Sequence, residues 1–597
     1  MTDTEYKREL NALEEERKNL PSGSISKKTI SGKDYYYLRS YVGGKLKEKY
    51  IPFSDLENIR KEIEKREAID REISKLKKAE TESPVFLTDV VTGENLVTLT
   101  LPVSGFRKRE IYRSLEEYIH RDVCDRVFIL YGLRRSGKTT LMRQLIENMN
   151  EEEKEKTAYI KIRETDTLSS LSRDLKRLQG LGFRYILIDE VTLLEDFIEG
   201  AAVLSDIFAS SGIRIILSGT DSLGFILSED DELYDRTITL HTTFIPYREF
   251  ETVLGVRGVD EYICYGGTMC PGGTDYNSQS PFQNTEAADK YVNSAIASNI
   301  QHSLAFYRNG THFRSLYELY RKNELTSAVN RVIEDINHSF TEEVLTRDFR
   351  SSDLSISRNN LRKDPSLPVD LMDPVDISSV TERLKEMLEI RNRDEQTVRL
   401  DDAAASEIEE YLKLLDLIEY VDVVSVGETR RKSRRVLISQ PGLRYARAEA
   451  LVKSLLSDQY FESLDWDTRS YVTNRILSEI KGRMLEDIVL LETKLSRPDR
   501  EVFVLRFAVG EFDMVVFDST NGGCDLYEIK HSTERNAKQY RHLTDEEKLR
   551  ITRHFYGNTR SRTVLYRGET TNDGDISYIN VEEYLKTLPS VQPVTYL

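Results

Sequence analysis

Val127 to Met149 reads VFILYGLRRSGKTTLMRQLIENM, and this stretch limits the choice of fold more than any other in the chain. An apolar run enters a glycine loop and an amphipathic run leaves it, so the order is strand, loop, helix. The loop, Gly132-Leu133-Arg134-Arg135-Ser136-Gly137-Lys138-Thr139, has the GxxxxGK[ST] spacing. Its glycines let backbone N–H groups wrap phosphates without a side-chain clash, and the helix that follows adds the positive end of its dipole. Lys138 is expected to reach the β- and γ-phosphates of ATP, and Thr139 to ligate Mg²⁺. Gly132, Arg135, Ser136, Gly137 and Thr140 complete the expected nucleotide-binding set.

Two further strands fit the same site. In FRYILIDEVTLLEDF an apolar run ends in Asp189-Glu190. That order places Asp189 near the Mg²⁺ and Glu190 where it polarises an attacking water, which is the layout for hydrolysis. In IRIILSGTDSLGF a third strand ends in Ser218-Gly219-Thr220, and Thr220 is the expected sensor of the γ-phosphate. Arg236 follows it, either as an arginine finger, which requires a homo-oligomer, or as a surface arginine.

Strand and helix patterns alternate from about 90 to 250, as in a parallel α/β sheet. The 597 residues allow several domains. We read a helix and β-hairpin module at 1–82, the nucleotide-binding core at 88–250, a helical lid at 251–379, a winged-helix-like unit at 380–455 and a mixed α/β domain at 456–597. The expected class is multidomain α/β with a small α+β N-terminal module. No apolar run approaches the roughly 18 residues that span a bilayer. Four cysteines with no CxxC pair fit a reducing, cytoplasmic setting.

Near the C-terminus, GEFDMVVFDSTNGGCDLYEIKHS sets Asp513 on one strand and Glu528-Ile529-Lys530 at the end of the next. Residues two apart on a strand share a face, so Glu528 and Lys530 point together while Ile529 points into the core. Metal-dependent phosphodiester cleavage needs carboxylates for a divalent cation and a group that positions water. Asp513, Glu528 and Lys530 offer both, and Glu486, on the preceding helix IKGRMLEDIVLLETKL, offers a further carboxylate. A surface hairpin with some acidic residues is the competing reading.

The pieces YGLRRSGKTTLMRQ, YILIDEV, LSGTDSLGF, TTFIPYREF, YGGTM and KGRMLEDIVLLET, followed by that hairpin, resemble prokaryotic AAA-type ATPases, related to the archaeal ATPase and STAND groups, that carry a C-terminal PD-(D/E)XK-like nuclease domain. The resemblance spans about residues 105–597. It implies a restriction-endonuclease-like C-terminal fold in which Glu486, Asp513 and Glu528 hold Mg²⁺ (or Mn²⁺) and Lys530 completes the catalytic set. Asp513 follows Gly-Glu-Phe rather than the proline of the motif.

The net charge of −17 argues against coating nucleic acid by bulk charge and leaves local basic patches as the route to it. ETRRKSRRVLISQPGLRYARA supplies Arg430, Arg431, Lys432, Arg434, Arg435, Arg444 and Arg447. KKTISGKDYYYLRSYVGGKLKEKY interleaves lysines with tyrosines, a pattern suited to backbone contact plus stacking. The function so read is an ATP-hydrolysing protein coupled to metal-dependent cleavage of DNA, in defence against foreign DNA. Its alternative is a nucleotide-switched assembly protein whose C-terminal domain binds DNA or a partner without cutting. A plain transcription regulator leaves the phosphate loop and the Glu486-to-Lys530 set without a task.

Overall fold

The computed structural model describes residues 13–590 apart from 14, 31–32, 43–44, 83–85, 122–125, 195–196, 198–203, 205–207, 221–236, 243–244, 270–281, 283, 307–312, 346–385, 387–399, 428–429, 458 and 464. The chain divides into two compact units, Met1–Phe86 and Leu87–Leu597.

In the first unit, β1 (Ser24–Ile30), β2 (Lys33–Val42) and β3 (Lys45–Ile51) form an antiparallel sheet, followed by the helix Leu56–Glu82. Much of its expected nucleic-acid face is spent internally. Lys27 pairs with Asp34 at 2.7 Å, and Glu48 takes both Lys28 at 2.5 Å and Arg39 at 2.7 Å. Tyr35 and Tyr37 pack on Tyr50.

The second unit begins with a six-stranded sheet. In chain order its strands are β4 (Asp89–Thr92), β5 (Val127–Tyr131), β6 (Thr157–Lys161), β7 (Tyr185–Asp189), β8 (Arg214–Gly219) and β9 (Thr237–His241). In space the order is β4-β6-β7-β8-β5-β9, parallel except for the edge strand β4. All of β5 is buried, as a central parallel strand covered on both faces must be. β8 lies between the strand that enters the phosphate loop and the strand that ends in Asp189, so a polar residue at its end faces the nucleotide site.

Helices follow, including Tyr247–Leu254, Val259–Tyr265, Ser298–Phe306 and Leu325–Glu343. The second sheet gathers β10 (Ile418–Ser425), β11 (Arg431–Ile438), β12 (Glu501–Arg506), β13 (Glu511–Phe517), β14 (Cys524–Ile529), β15 (Thr559–Tyr566), β16 (Thr571–Asp573) and β17 (Ile576–Asn580) in the order β11-β10-β12-β13-β14-β15-β17-β16. The hairpin β10–β11, expected as the wing of a separate unit, is therefore built into the C-terminal sheet: β10 pairs in parallel with β12, Asp422 opposite Phe503.

One apolar core packs the helices that follow the first sheet against the second sheet. It unites Tyr247, Phe250 and Tyr262 with Ile476, Ile480 and Met484 of the long helix Trp466–Ser496, and with Met514, Ile529 and Leu565 of the C-terminal strands. Leu133, inside the phosphate loop, belongs instead to the core of the helical segment, with Tyr291, Ile296 and Leu443. The helices Leu325–Glu343 and Pro441–Leu455 contribute to both cores and so link the nucleotide loop to the C-terminal sheet. Among the described residues no helix is long and apolar enough to cross a membrane.

Candidate functional site

The phosphate loop has the backbone its glycines permit. Gly132 (φ 143°) and Gly137 (φ 94°) take conformations that side chains rarely adopt, and Arg135 also has positive φ, at 66°. The helix Lys138–Asn148 starts at the end of the loop, with Thr140 in its first turn. Lys138 Nζ donates to the carbonyls of Gly132 at 2.8 Å and Leu133 at 2.9 Å. Burial pushes its pKa down to about 8, against the pull of Glu190 and Asp189. A buried ammonium held by loop carbonyls is a cation placed for a polyphosphate.

Thr139 donates its hydroxyl to Asp189 at 2.9 Å, so the two expected Mg²⁺ groups converge on one point. Asp189 is 2% exposed and also accepts from Tyr159 OH at 2.7 Å and from the Ser218 hydroxyl. Glu190 adopts a left-handed conformation, φ 58°, and burial raises its pKa. These residues fit ATP with Mg²⁺: the loop and Lys138 for the phosphates, Thr139 and Asp189 for the cation.

At the end of β8 the two polar residues have different partners. Ser218, not Thr220, reaches Asp189, while the Thr220 carbonyl accepts from the Asn299 amide of the helical segment. Arg236 lies outside the described residues.

Sequence reading missed three residues that hold the loop. Thr242 Oγ1 lies 2.9 Å from Ser136 Oγ and bonds the Tyr131 carbonyl at 3.0 Å. Arg109 Nη1 donates to Ser136 O at 2.8 Å while its Nη2 pairs with Glu249 at 2.6 Å. The Met269 N–H donates to Arg135 O at 2.7 Å. No local signal marks them, because each acts across a long sequence separation.

The second candidate centre is on β13 and β14. Asp513 accepts from the Ile529 N–H at 2.7 Å and from Lys530 Nζ at 2.9 Å, and Lys530 lies 2.7 Å from Glu528. Ile529 is buried in the core on the opposite face, as the alternation requires. Burial works against the Asp513 carboxylate, but Lys530 and the Ile529 N–H outweigh it and its pKa falls. Burial and the charge of Asp513 hold the Glu528 pKa well above the usual carboxylate range. Burial opposes the Lys530 ammonium, yet the two carboxylates raise its pKa well above the ordinary value.

Glu528 Oε1 is buried without a hydrogen-bond partner. Two adjacent carboxylates, one with an orphaned oxygen, are a donor set that a divalent cation completes. Glu486 is engaged elsewhere: Arg483 lies 2.7 Å from it and Arg435 3.6 Å. Its charge also helps to raise the Lys530 pKa. Among the described residues, no group of three or more His, Cys, Asp or Glu side chains is arranged to hold a metal ion. Two carboxylates converge here, where sequence reading expected three.

The basic run also divides. Arg430, Arg431, Lys432 and Arg434 are exposed. Arg435 and Arg444 both pair with Asp487, and Arg447 reaches Asp289 at 2.8 Å and Glu334 at 3.2 Å. These last three hold the fold together rather than offering charge to a polyanion.

With this geometry in view, residues 125–251 match the family described as AAA domain. The chain carries an AAA-type P-loop ATPase core. Residues 3–61 match a family described as a domain of unknown function, DUF6788. No curated protein matches the chain. Among solved structures, the Aeropyrum pernix Orc1 protein in complex with DNA is 16% identical over 61% of this chain and 95% of that one, with a TM-score of 0.21. A score that low carries no argument about this protein.

Proposed function

We propose that the protein hydrolyses ATP at the phosphate loop and, in step with that nucleotide, cleaves the phosphodiester backbone of DNA at the Asp513–Glu528–Lys530 centre. The observation that carries the second half is the buried carboxylate pair bridged by Lys530, with Glu528 Oε1 unpartnered. In the first site Lys138 neutralises phosphate charge and Glu190, raised in pKa by burial, accepts the proton of the attacking water. In the second, Asp513 and Glu528 would hold Mg²⁺ or Mn²⁺, which supplies Lewis acidity and an activated water. Lys530, fixed between them, orients that water and offsets charge building on the phosphate. The exposed side chains Arg430, Arg431, Lys432 and Arg434 are suited to contacts with phosphates away from the cut. The sequence resemblance adds the expectation of a role in defence against foreign DNA.

The test is plasmid degradation with Mg²⁺ or Mn²⁺ by the wild type and by Asp513→Ala and Lys530→Ala. Cleavage lost in both variants supports the proposal. No cleavage by a wild type that still turns over ATP removes it.

One observation favours a second reading. Glu486 is taken up by Arg483 and Arg435, so two carboxylates rather than three converge on Lys530. On that reading the C-terminal domain binds DNA or a partner under nucleotide control and does not cut. Nucleotide-dependent DNA binding without degradation at any metal concentration distinguishes it.

A further inference from the structure

The segment from Val259 to Met269 touches both candidate centres. At one end the Met269 N–H holds the Arg135 carbonyl of the phosphate loop at 2.7 Å. A methyl group built at Gly137 would lie 3.8 Å from Met269 Cγ, so that side chain lies close to the loop glycine that precedes Lys138. At the other end Asp260 lies 2.7 Å from His531 Nε2 and 2.6 Å from Arg567 Nη2. His531 is the residue next to Lys530 in the chain, and Arg567 follows directly on β15, the parallel neighbour of β14. Hydrogen bonding to His531 lowers the Asp260 pKa despite its burial.

What lies between is stiff. The helix Val259–Tyr265 is seven residues long, about 10 Å at 1.5 Å per residue. Tyr262, 1% exposed, is wedged against Tyr247 and Phe250 with ring centroids 5.6 and 5.2 Å away. The turn after the helix is equally confined. A side chain at Gly267 (φ 113°) would sit 2.6 Å from Gln440 Cα, and the Gly266 carbonyl accepts the Gly442 N–H at 3.0 Å. A movement of the phosphate loop at Arg135 is therefore delivered to Asp260 with little lost to local bending.

We infer that residues 259–269 are a strut that sets the C-terminal centre according to the nucleotide, with Asp260 as the residue that positions the Lys530 end of β14 through His531. This rests on the C-terminal centre proposed above for its purpose, but not for its existence. Nucleotide binding shifts the loop, the Met269 contact carries the shift into the helix, and the Asp260 carboxylate moves His531 and Arg567 together. Lys530 and Glu528 then change their alignment with Asp513.

Hydrogen–deuterium exchange on the full chain, with and without Mg²⁺ and a non-hydrolysable ATP analogue, reads the strut without requiring cleavage. In the wild type the analogue is expected to change exchange in 132–140 and also in 524–532, the latter by about 5-fold or more, the lower end of ordinary coupling between sites. In Asp260→Asn and in His531→Gln the response at 132–140 persists and that at 524–532 is lost, while Asp260→Glu recovers part of it. If one variant does not fold, the other decides. A wild type that responds at 132–140 and not at 524–532 overturns the strut, and so does an undiminished response in a folded variant. Cleavage assays on the same proteins separate the two ideas. Nucleotide-responsive exchange with no cleavage keeps the strut and removes the nuclease reading; cleavage with no response in the strand does the reverse.

Discussion

Arg109 and Glu249 form a buried ion pair at 2.6 Å, their side chains 4% and 2% exposed, and the same guanidinium holds the Ser136 carbonyl of the phosphate loop at 2.8 Å. Glu249 also accepts the Glu110 N–H at 2.7 Å. Removing one partner strands a desolvated charge, which costs about 3–5 kcal/mol. Arg109→Ala should therefore lower the denaturation midpoint sharply. It should also weaken nucleotide binding beyond what the lost stability explains, because Ser136 loses its anchor. Denaturant titration and a fluorescent-nucleotide Kd, taken on the same sample, check both. Unchanged affinity in a folded variant would show that the pair serves the fold alone.

Lys138 and Glu190 answer different questions about the nucleotide site. Lys138→Ala removes the buried cation, and both binding and turnover should fall together. Glu190→Gln keeps the shape and removes the base, so binding should hold while hydrolysis drops by about 10²- to 10⁴-fold. Steady-state ATPase assays beside equilibrium binding separate the two. A Glu190→Gln variant that hydrolyses at the wild-type rate assigns the base elsewhere.

How much of this was legible in the chain depends on whether the cause was local. Loop spacing, the Asp189-Glu190 strand end and the Glu528/Lys530 alternation are set within a few residues, and the structure places each as the pattern requires. The Arg109–Glu249 pair spans 140 residues, and nothing near either residue announces it. The basic run from Arg430 to Arg447 looked uniform because charge is visible in a sequence and partners are not. Asp487, Asp289 and Glu334 lie far from their arginines in the chain, and they decide that Arg435, Arg444 and Arg447 face inward. The wing hairpin joined the C-terminal sheet for a similar reason: the parallel pairing of β10 with β12 is made across an intervening long helix. Glu486 was assigned by its place on that helix, and Arg483, three residues before it, now competes for its carboxylate.

The carboxylate pair predicts a metal response that needs no substrate. Glu528 is buried beside Asp513 with one oxygen unsatisfied, so the metal-free fold carries a penalty that a divalent cation relieves. Mn²⁺ at 100 times its Kd should stabilise the wild type by about 2.7 kcal/mol through binding to the folded state alone. Glu528→Gln removes a buried acid whose ionisation burial and the Asp513 charge oppose. Without metal it should melt at or above the wild-type temperature, and Asp513→Asn,Glu528→Gln together should abolish the C-terminal metal response. The nucleotide site is silenced in this experiment by a Thr139→Ala background. Thermal melts over a metal series give the result; an unchanged metal shift in the double variant would place the cation somewhere other than β13 and β14.

Glu492 predicts the pH dependence of the joint between the ATPase core and the C-terminal sheet. It is 2% exposed on the long helix and accepts the Tyr247 N–H at 2.7 Å, capping the helix Tyr247–Leu254. Burial pushes its pKa up to about 8, against the Tyr247 N–H and Arg248, which favour the charged form. The folded-state value lies above the unfolded one, so the fold prefers the protonated acid. The contribution to stability is fully present below the unfolded value of 4.5 and is lost as pH rises through about 8. Glu492→Gln keeps an acceptor for the Tyr247 N–H and cannot ionise. The variant should therefore gain on the wild type as pH rises from 4.5 to about 8 and hold a constant lead above that, on the order of 3–5 kcal/mol at about 1.4 kcal/mol per pKa unit. Unfolding free energies of both proteins from about pH 4 to about pH 9 test this. Parallel pH profiles would mean that the carboxylate is already charged in the folded protein, with Arg248 as its counterion.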